Sequence, residues 1–207
     1  VMACILYFAK RIDVQNAAMQ RGEWTRILVP GAKGRTLGLV GFGGIGKEIA
    51  KRATAFGMNV IYTCRHPNPA WDAEYGVAYR PMEALLAESD YISLNVPLTE
   101  QTRGMFSAPQ FERMKPTAVL INIARGGVVD VPALRKALDD GEIGGAAIDV
   151  YESEPCTDSP LVGCGKAVLT PHTAPFTSEN FIAMNNRAAQ NVLDFFAGTL
   201  EDKYRLA

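Results

Sequence analysis

An α/β domain built on a doubly wound parallel sheet is the fold class that this sequence predicts, and three observations predict it. Short, nearly all-apolar runs alternate with segments of helical period along most of the chain. A glycine-rich turn, Gly41-Phe42-Gly43-Gly44-Ile45-Gly46, joins one such run to a long helical pattern. Three later apolar runs each carry a polar side chain just past their ends: Arg125, Glu154 and His172. Strands apolar on both faces suit a sheet covered by helices on both sides. Their alternation with helices implies βαβ units with right-handed crossovers.

The elements follow in order. Val1, Met2, Ile5, Phe8, Ala9 and Ile12 fall on one helical face, which predicts a leading helix from Met2 to Met19, continued through Gly22-Glu23-Trp24. No capping residue precedes it and the first residue is not methionine. The sequence is therefore expected to open inside an element, with something missing upstream. The apolar stretch Val1 to Ala9 looks like a signal core, but Lys10 and Arg11 follow it instead of preceding it, and it is far too short to span a membrane.

Thr36 to Val40 reads as a strand. Ile45 to Phe56 reads as a helix with Ile45, Ile49, Ala50, Ala53 and Phe56 inward and Gly57 as its stop. Asn59 to Cys64 is the next strand, and Gly76 to Tyr79 a short third. A helix from Pro81 to Glu88 leads to a strand from Tyr91 to Asn95. Helices at Ala108 to Met114 and Val131 to Leu138 flank a strand that ends near Arg125. Strands follow at Gly145 to Val150 and Ala167 to Leu169, then a long helix from Thr177 to Phe196, capped by Ser178 and closed by Gly198. The expected divisions are 1–26, a leading helix and arm; 27–175, the sheet domain; and 176–207, a C-terminal helix and tail.

The chain has 207 residues, which suits one domain with an appended element. Its net charge of −1 offers nothing global to attract nucleic acid or an anionic membrane, so neither is expected as a partner. The four cysteines form no CxxC pair, and neither His66 nor His172 sits at metal-ligand spacing. We therefore expect no metal site, and free thiols in a reducing cytoplasm. Cys156 and Cys164, which flank a loop, are expected to be surface thiols.

The glycine turn fits G-x-G-x-x-G and lies directly between a strand and a helix. That context marks a Rossmann-type dinucleotide site. Gly41 would permit the tight turn, Gly43 the close approach of a pyrophosphate, and Gly46 close helix–strand packing. The helix start would offer unpaired N–H groups and a positive dipole end to the phosphates. A nucleotide-triphosphatase reading of Gly41 to Lys47 fails, because Glu48 stands where a magnesium-binding hydroxyl is required. The position that reads the adenosine ribose follows the second strand, about 20 residues past the turn. Here that stretch is Tyr62-Thr63-Cys64-Arg65-His66, with no acid. A carboxylate would repel a 2′-phosphate; its absence beside Arg65 favours NADP(H) through charge-assisted bonds. A solvated Arg65 beside a site that also accepts NAD is the alternative. His66 is expected to be exposed near that ribose.

Five ordered stretches resemble the D-isomer-specific 2-hydroxyacid dehydrogenase family: Gly41-x-Gly43-x-x-Gly46, Asn95-Val96-Pro97-Leu98-Thr99, Asn122-Ile123-Ala124-Arg125-Gly126, Asp149 to Pro155, and Pro171-His172. The Tyr62-to-Arg65 stretch is most similar to the glyoxylate/hydroxypyruvate reductase branch. The resemblance implies an NAD(P)-dependent oxidoreductase acting on a small 2-oxo acid, with glyoxylate or hydroxypyruvate favoured. It implies that Arg125 grips the substrate's carboxylate and carbonyl oxygen and that His172 is the acid that protonates that oxygen. Glu154 would hold the imidazole in its charged form; Glu152 is a near decoy, but the family's acid directly precedes proline. Asp149 would bond the nicotinamide carboxamide and Pro97 would line the adenine side. Gly44, Ile45, Cys64 and Thr102 complete the implied cofactor contacts.

The physics agrees with those roles. Negative charge developing on a carbonyl oxygen is stabilised by a guanidinium and an imidazolium, and arginine's planar fork suits a carboxylate. A carboxylate beside a histidine raises its pKa from about 6.5. Singly, each residue also fits a structural role. The resemblance further implies a homodimer, formed partly through residues 1–26, and a substrate domain ahead of the cofactor domain that this sequence lacks. Two alternatives stay open: a phosphoglycerate dehydrogenase, and a non-catalytic NAD(H)-sensing protein of the C-terminal-binding co-repressor type.

Overall fold

The computed structural model describes residues 1–204, the side chain of Lys203 apart. The chain divides into two compact units, Val1–Pro171 and His172–Ala207. In the first, β1 (Thr36–Val40), β2 (Asn59–Thr63), β3 (Val77–Tyr79), β4 (Tyr91–Leu94), β5 (Val119–Asn122), β6 (Gly145–Ile148) and β7 (Ala167–Leu169) form one seven-stranded sheet in the order β3-β2-β1-β4-β5-β6-β7. Every pairing is parallel. The expected doubly wound architecture is therefore present, with strand order reversing between β1 and β4. That reversal opens a crevice beyond the carboxyl ends of the strands.

Alternate residues of each strand point to opposite faces, and each face builds its own core. Leu37, Leu39, Tyr62, Val119, Ile121 and Ala147 pack with Ile5 and Ala9 of α1 (Met2–Lys10) and Ile49, Ala50 and Ala53 of α3 (Gly44–Ala55). On the other face Val40, Ile61, Ile92, Leu94, Leu120 and Ile148 pack with Leu85 and Leu86 of α5 (Met82–Glu88) and Leu134 and Leu138 of α7 (Val131–Asp140). Burial on both sides explains why these strands read as continuous apolar runs.

Several local expectations are corrected. The leading helix is broken: Arg11 adopts a left-handed conformation (φ 49°, ψ 42°), separating α1 from α2 (Ile12–Gln20). Ile12 consequently leaves the apolar face and is exposed. α3 begins at Gly44, and Ile45 and Phe56, expected inward, are exposed at its two ends. An unforeseen helix, α4 (Pro69–Tyr75), follows β2. Its start signal was in plain view: the Asn68 side chain accepts from Ala70 N at 3.0 Å, and Pro69 takes a first-turn position where its missing N–H costs nothing. α6 is one turn, Ala108–Phe111. The four cysteines are free, and Cys156 and Cys164 are half-buried.

The second unit carries α8 (Ser178–Ala197). Thr177, not Ser178, caps it, its hydroxyl accepting from Asn180 N at 3.2 Å, and Gly198 ends it with φ 72°. Among the described residues no helix is long and apolar enough to cross a membrane.

The amino edge of the sheet is stapled by one carboxylate. Asp90 Oδ2 accepts from Thr36 N at 2.8 Å, while Oδ1 meets Lys115 Nζ at 3.1 Å and Arg35 at 3.6 Å. The Asp90 backbone bonds Thr36 O and Val119 N, so the starts of β1, β4 and β5 share this residue. Asp90→Ala strands the Thr36 amide and is expected to cost about 1–3 kcal/mol in urea denaturation. Glu83→Ala, which removes an exposed partner of Arg113, is expected to stay within about 1 kcal/mol.

Candidate active site

The glycine turn leaves β1 at the crevice. Gly41 has φ 95°, a conformation in which a side chain is strained, and a Cβ there would lie 2.7 Å from Asn95 O. Its amide donates to Thr63 O at 2.9 Å, tying the turn to the end of β2. A Cβ on Gly46 would lie 2.7 Å from Gly41 O, so the turn packs on the helix it opens. Around Gly43 and Gly44, by contrast, a Cβ would meet nothing within 4 Å. α3 starts from Gly43 with no side-chain cap, so the N–H groups of its first turn have no side-chain acceptor there and lie at the positive dipole end.

Two adjoining cavities extend from this turn along the carboxyl edge. One, about 500 Å³, brings together Gly41, Cys64, Arg65, Pro97 and Thr102, with Met82 and Met105 among its apolar walls. The second, about 460 Å³, is lined by Ile45, Asn95, Leu98, Ile123, Ala124 and Arg125. Val96 and Pro97 belong to both. Ile45, exposed on α3, thus faces this crevice. Arg65 is exposed at the first cavity and makes no ion pair among the described residues; His66 is exposed beside it. Thr102 serves the wall: its hydroxyl donates to Pro97 O and accepts from Thr99 N, both at 2.7 Å.

Arg125 lies three residues beyond β5. Its guanidinium is exposed and donates to Ala124 O at 2.7 Å. Buried Asn122 clamps the loop, donating to Arg125 O and accepting from Ala124 N, each at 3.0 Å. Gly126 is packed so tightly that a Cβ would overlap the backbone of Tyr151 and Glu152. The Arg125 loop is therefore seated directly on the segment that carries Glu154. In that segment Glu154 Oε1 accepts from Tyr151 N at 2.9 Å, and the Glu154–Pro155 peptide is cis. Glu152 turns to Arg103 instead, at 3.3 Å. Burial, with the charges of Cys156, Asp149 and Glu154, pushes the Tyr151 phenol pKa up. Asp149 is buried at the end of β6 and accepts from Thr170 Oγ1 at 2.5 Å.

His172 follows β7 by three residues and opens the second unit with a left-handed backbone, φ 52°. The first unit thus gathers the glycine turn, Cys64, Arg65, Pro97, Thr102 and Arg125 along one crevice. Asn122 and Gly126 are positioning residues that sequence reasoning missed. A polar side chain closing a fully buried strand was the available signal for Asn122.

Residues 2–174 match the family model described as D-isomer specific 2-hydroxyacid dehydrogenase, NAD binding domain. The chain is 43% identical to a glyoxylate reductase of Thermococcus litoralis over 207 aligned residues, covering 96% of this chain and 62% of that protein. It is 38% identical to glyoxylate/hydroxypyruvate reductase B of Shigella boydii, covering 97% and 64%. Among solved structures, a glyoxylate reductase from Paecilomyes thermophila superposes with a TM-score of 0.85 at 35% identity, covering 100% of this chain and 62% of that one. A D-lactate dehydrogenase from Aquifex aeolicus, complexed with NAD and lactic acid, gives 0.87 at 31%, covering 96% and 65%. The chain spans about 62% of the length of the first of these relatives.

Gly126→Ala is expected to cost about 1–3 kcal/mol or more in chemical denaturation, because the obstructing atoms are backbone and cannot rotate away. Gly43→Ala, where the added methyl meets nothing, should leave stability within about 1 kcal/mol.

Proposed function

Because the chain belongs to the NAD-binding-domain family of the D-isomer specific 2-hydroxyacid dehydrogenases, we propose that the protein is an oxidoreductase interconverting a small 2-oxo acid and its 2-hydroxy acid with NADP(H). Glyoxylate or hydroxypyruvate is the favoured substrate, in keeping with the names of its relatives. One observation carries the reading: a continuous crevice runs from an uncapped helix start, past an Arg65 with no ion pair among the described residues, to the exposed guanidinium of Arg125.

The residues present fit a dinucleotide. Open space at Gly43 and Gly44 allows a pyrophosphate to approach backbone N–H groups at the start of α3. The apolar cavity between Met82, Pro97 and Met105 suits an adenine, and Arg65 at its rim suits a 2′-phosphate. Asp149 is the acceptor assigned to the carboxamide. When bound, the cofactor supplies or receives the hydride.

The chain's own groups do the rest. Arg125 binds the substrate carboxylate through its fork and offers positive charge to the carbonyl oxygen. In the reductive direction His172 delivers a proton to that oxygen, and in the oxidative direction it removes one. Glu154 is the carboxylate assigned to orient the imidazole, through a hydrogen bond to the ring nitrogen that does not face the substrate. The reading includes a homodimer using the 1–26 segment, supported by the exposed apolar residues Ile12, Met19 and Trp24.

Steady-state assay of the full-length protein tests the reading: NADPH oxidation with glyoxylate or hydroxypyruvate is expected, and cofactor binding without turnover on any 2-oxo acid overturns it. His172→Ala should lower turnover by about 100-fold or more while leaving cofactor affinity nearly intact; a fully active variant would remove its assignment as acid. Arg65→Asp should weaken NADPH binding by about 10–100-fold, measured by calorimetry, and NADH binding far less.

A further inference from the structure

The segment from Cys64 to Asn68 joins β2 to α4 and carries Arg65. It is short, and both of its ends are anchored. At its start, Thr63 O accepts from Gly41 N at 2.9 Å, which locks the end of β2 to the glycine turn. At its far end, Asn68 caps α4 through its side chain, and its carbonyl accepts from Trp71 N at 2.9 Å. The remaining anchor comes from inside the sheet. Tyr62, fully buried on β2, sends its hydroxyl to Asp72 Oδ1 at 3.1 Å and, at a longer 3.4 Å, to Asn68 O.

Around that hydroxyl sits an aromatic cluster. The Tyr62 ring stacks on Phe42 of the glycine turn at 4.3 Å, and Trp71 and Tyr75 of α4 close on Phe42 at 5.5 and 5.7 Å. Lys47 Nζ lies 4.3 Å from the Trp71 ring centre, on the helix that the glycine turn begins. Apolar ring packing alone permits α4 to slide, because dispersion contacts are weakly directional. A hydrogen bond to a carboxylate at a defined site is directional and sets one register. Burial and the Asp72 partner push the Tyr62 phenol up to about 12, so the hydroxyl keeps its proton across the physiological range.

We propose that Tyr62 and Asp72 are positioning residues for cofactor discrimination: the part-buried Tyr62–Asp72 hydrogen bond sets where α4 begins, and thereby holds Arg65 at the rim of the adenosine cavity for the ribose 2′-phosphate. The inference rests on the Arg65 reading above. It explains how a cation with no ion pair among the described residues can be selective on a five-residue link: the link is fixed from behind. Neither residue lines the adenosine cavity. Both act through the geometry of the link, so their removal should fall on the phosphate-bearing cofactor and spare the other.

The test is direct binding of NADPH and NADH to the full-length protein by calorimetry, with amide hydrogen exchange at Arg65, His66 and Asn68 as a second readout. Tyr62→Phe keeps the ring stack and removes the anchor. It is expected to lower the NADPH-over-NADH affinity ratio by about 3–10-fold, the worth of one hydrogen bond, with NADH affinity unchanged and exchange at those amides faster. Asp72→Ala should do the same. Asp72→Asn, whose amide oxygen can still accept, should restore most of the ratio. An unchanged ratio in Tyr62→Phe and Asp72→Ala, in a protein whose preference is abolished by Arg65→Asp, overturns the anchor and leaves the Arg65 reading standing. Equal loss of both cofactors likewise overturns it, since that marks a general structural role. A wild-type protein that binds both cofactors equally overturns both inferences together.

Discussion

Seven strands running in one direction constrain everything else in the sheet-bearing unit. A parallel neighbour cannot be reached by a hairpin, so each connection must cross back over a face of the sheet. The crossovers bury both faces, which is why Leu120 and its neighbours Val119 and Ile121 are all inside although they point in opposite directions. The same constraint collects every strand's carboxyl end on one edge. The glycine turn, Arg65, the Pro97 wall, Arg125 and the Glu154 segment all follow such ends. The amino edge carries a different device, the Asp90 staple, whose partners are a backbone amide, a lysine and an arginine and which holds strand starts together.

Loops at the carboxyl edge are then made stiff by close contact between backbones. Gly41 lies against Asn95, and Gly126 against Tyr151 and Glu152, each leaving no room for a methyl group. Asn122 and Thr102 satisfy backbone groups inside their own loops. Fixing the backbone of such a loop removes that part of the ordering cost of meeting an anion, which is the physical value of preorganisation. Arg125 and Arg65 are served by different supports. Arg125 rests on a loop-to-loop contact, whereas the Arg65 link is braced from the aromatic cluster beneath α4.

Much of this was legible before any coordinates. The G-x-G-x-x-G turn between a strand and a helix, the missing acid after Thr63, and the order of Arg125, Glu154 and His172 are all local text. The misreadings have local causes too. The leading pattern kept a helical period through Ile12, yet a left-handed Arg11 interrupts it, because periodicity records which residues are apolar and not where the chain turns. Ile45 satisfies the same period but sits in the first turn of α3, where it lines a crevice. α4 escaped notice because seven residues carry too little period to stand out, although Asn68-Pro69 announced its start.

By itself, then, the amino-acid order determined the class of fold, the elements of the sheet and the chemistry available at its edge, since all three depend on periodicity, turn residues and side-chain type within a few positions. Tertiary structure decided which strands are neighbours and that Gly126 must yield to a distant backbone. It also decided that a buried tyrosine meets Asp72 ten residues on. These outcomes hang on contacts between segments remote in sequence, or on side chains whose direction only packing settles. No short window of residues contains that information.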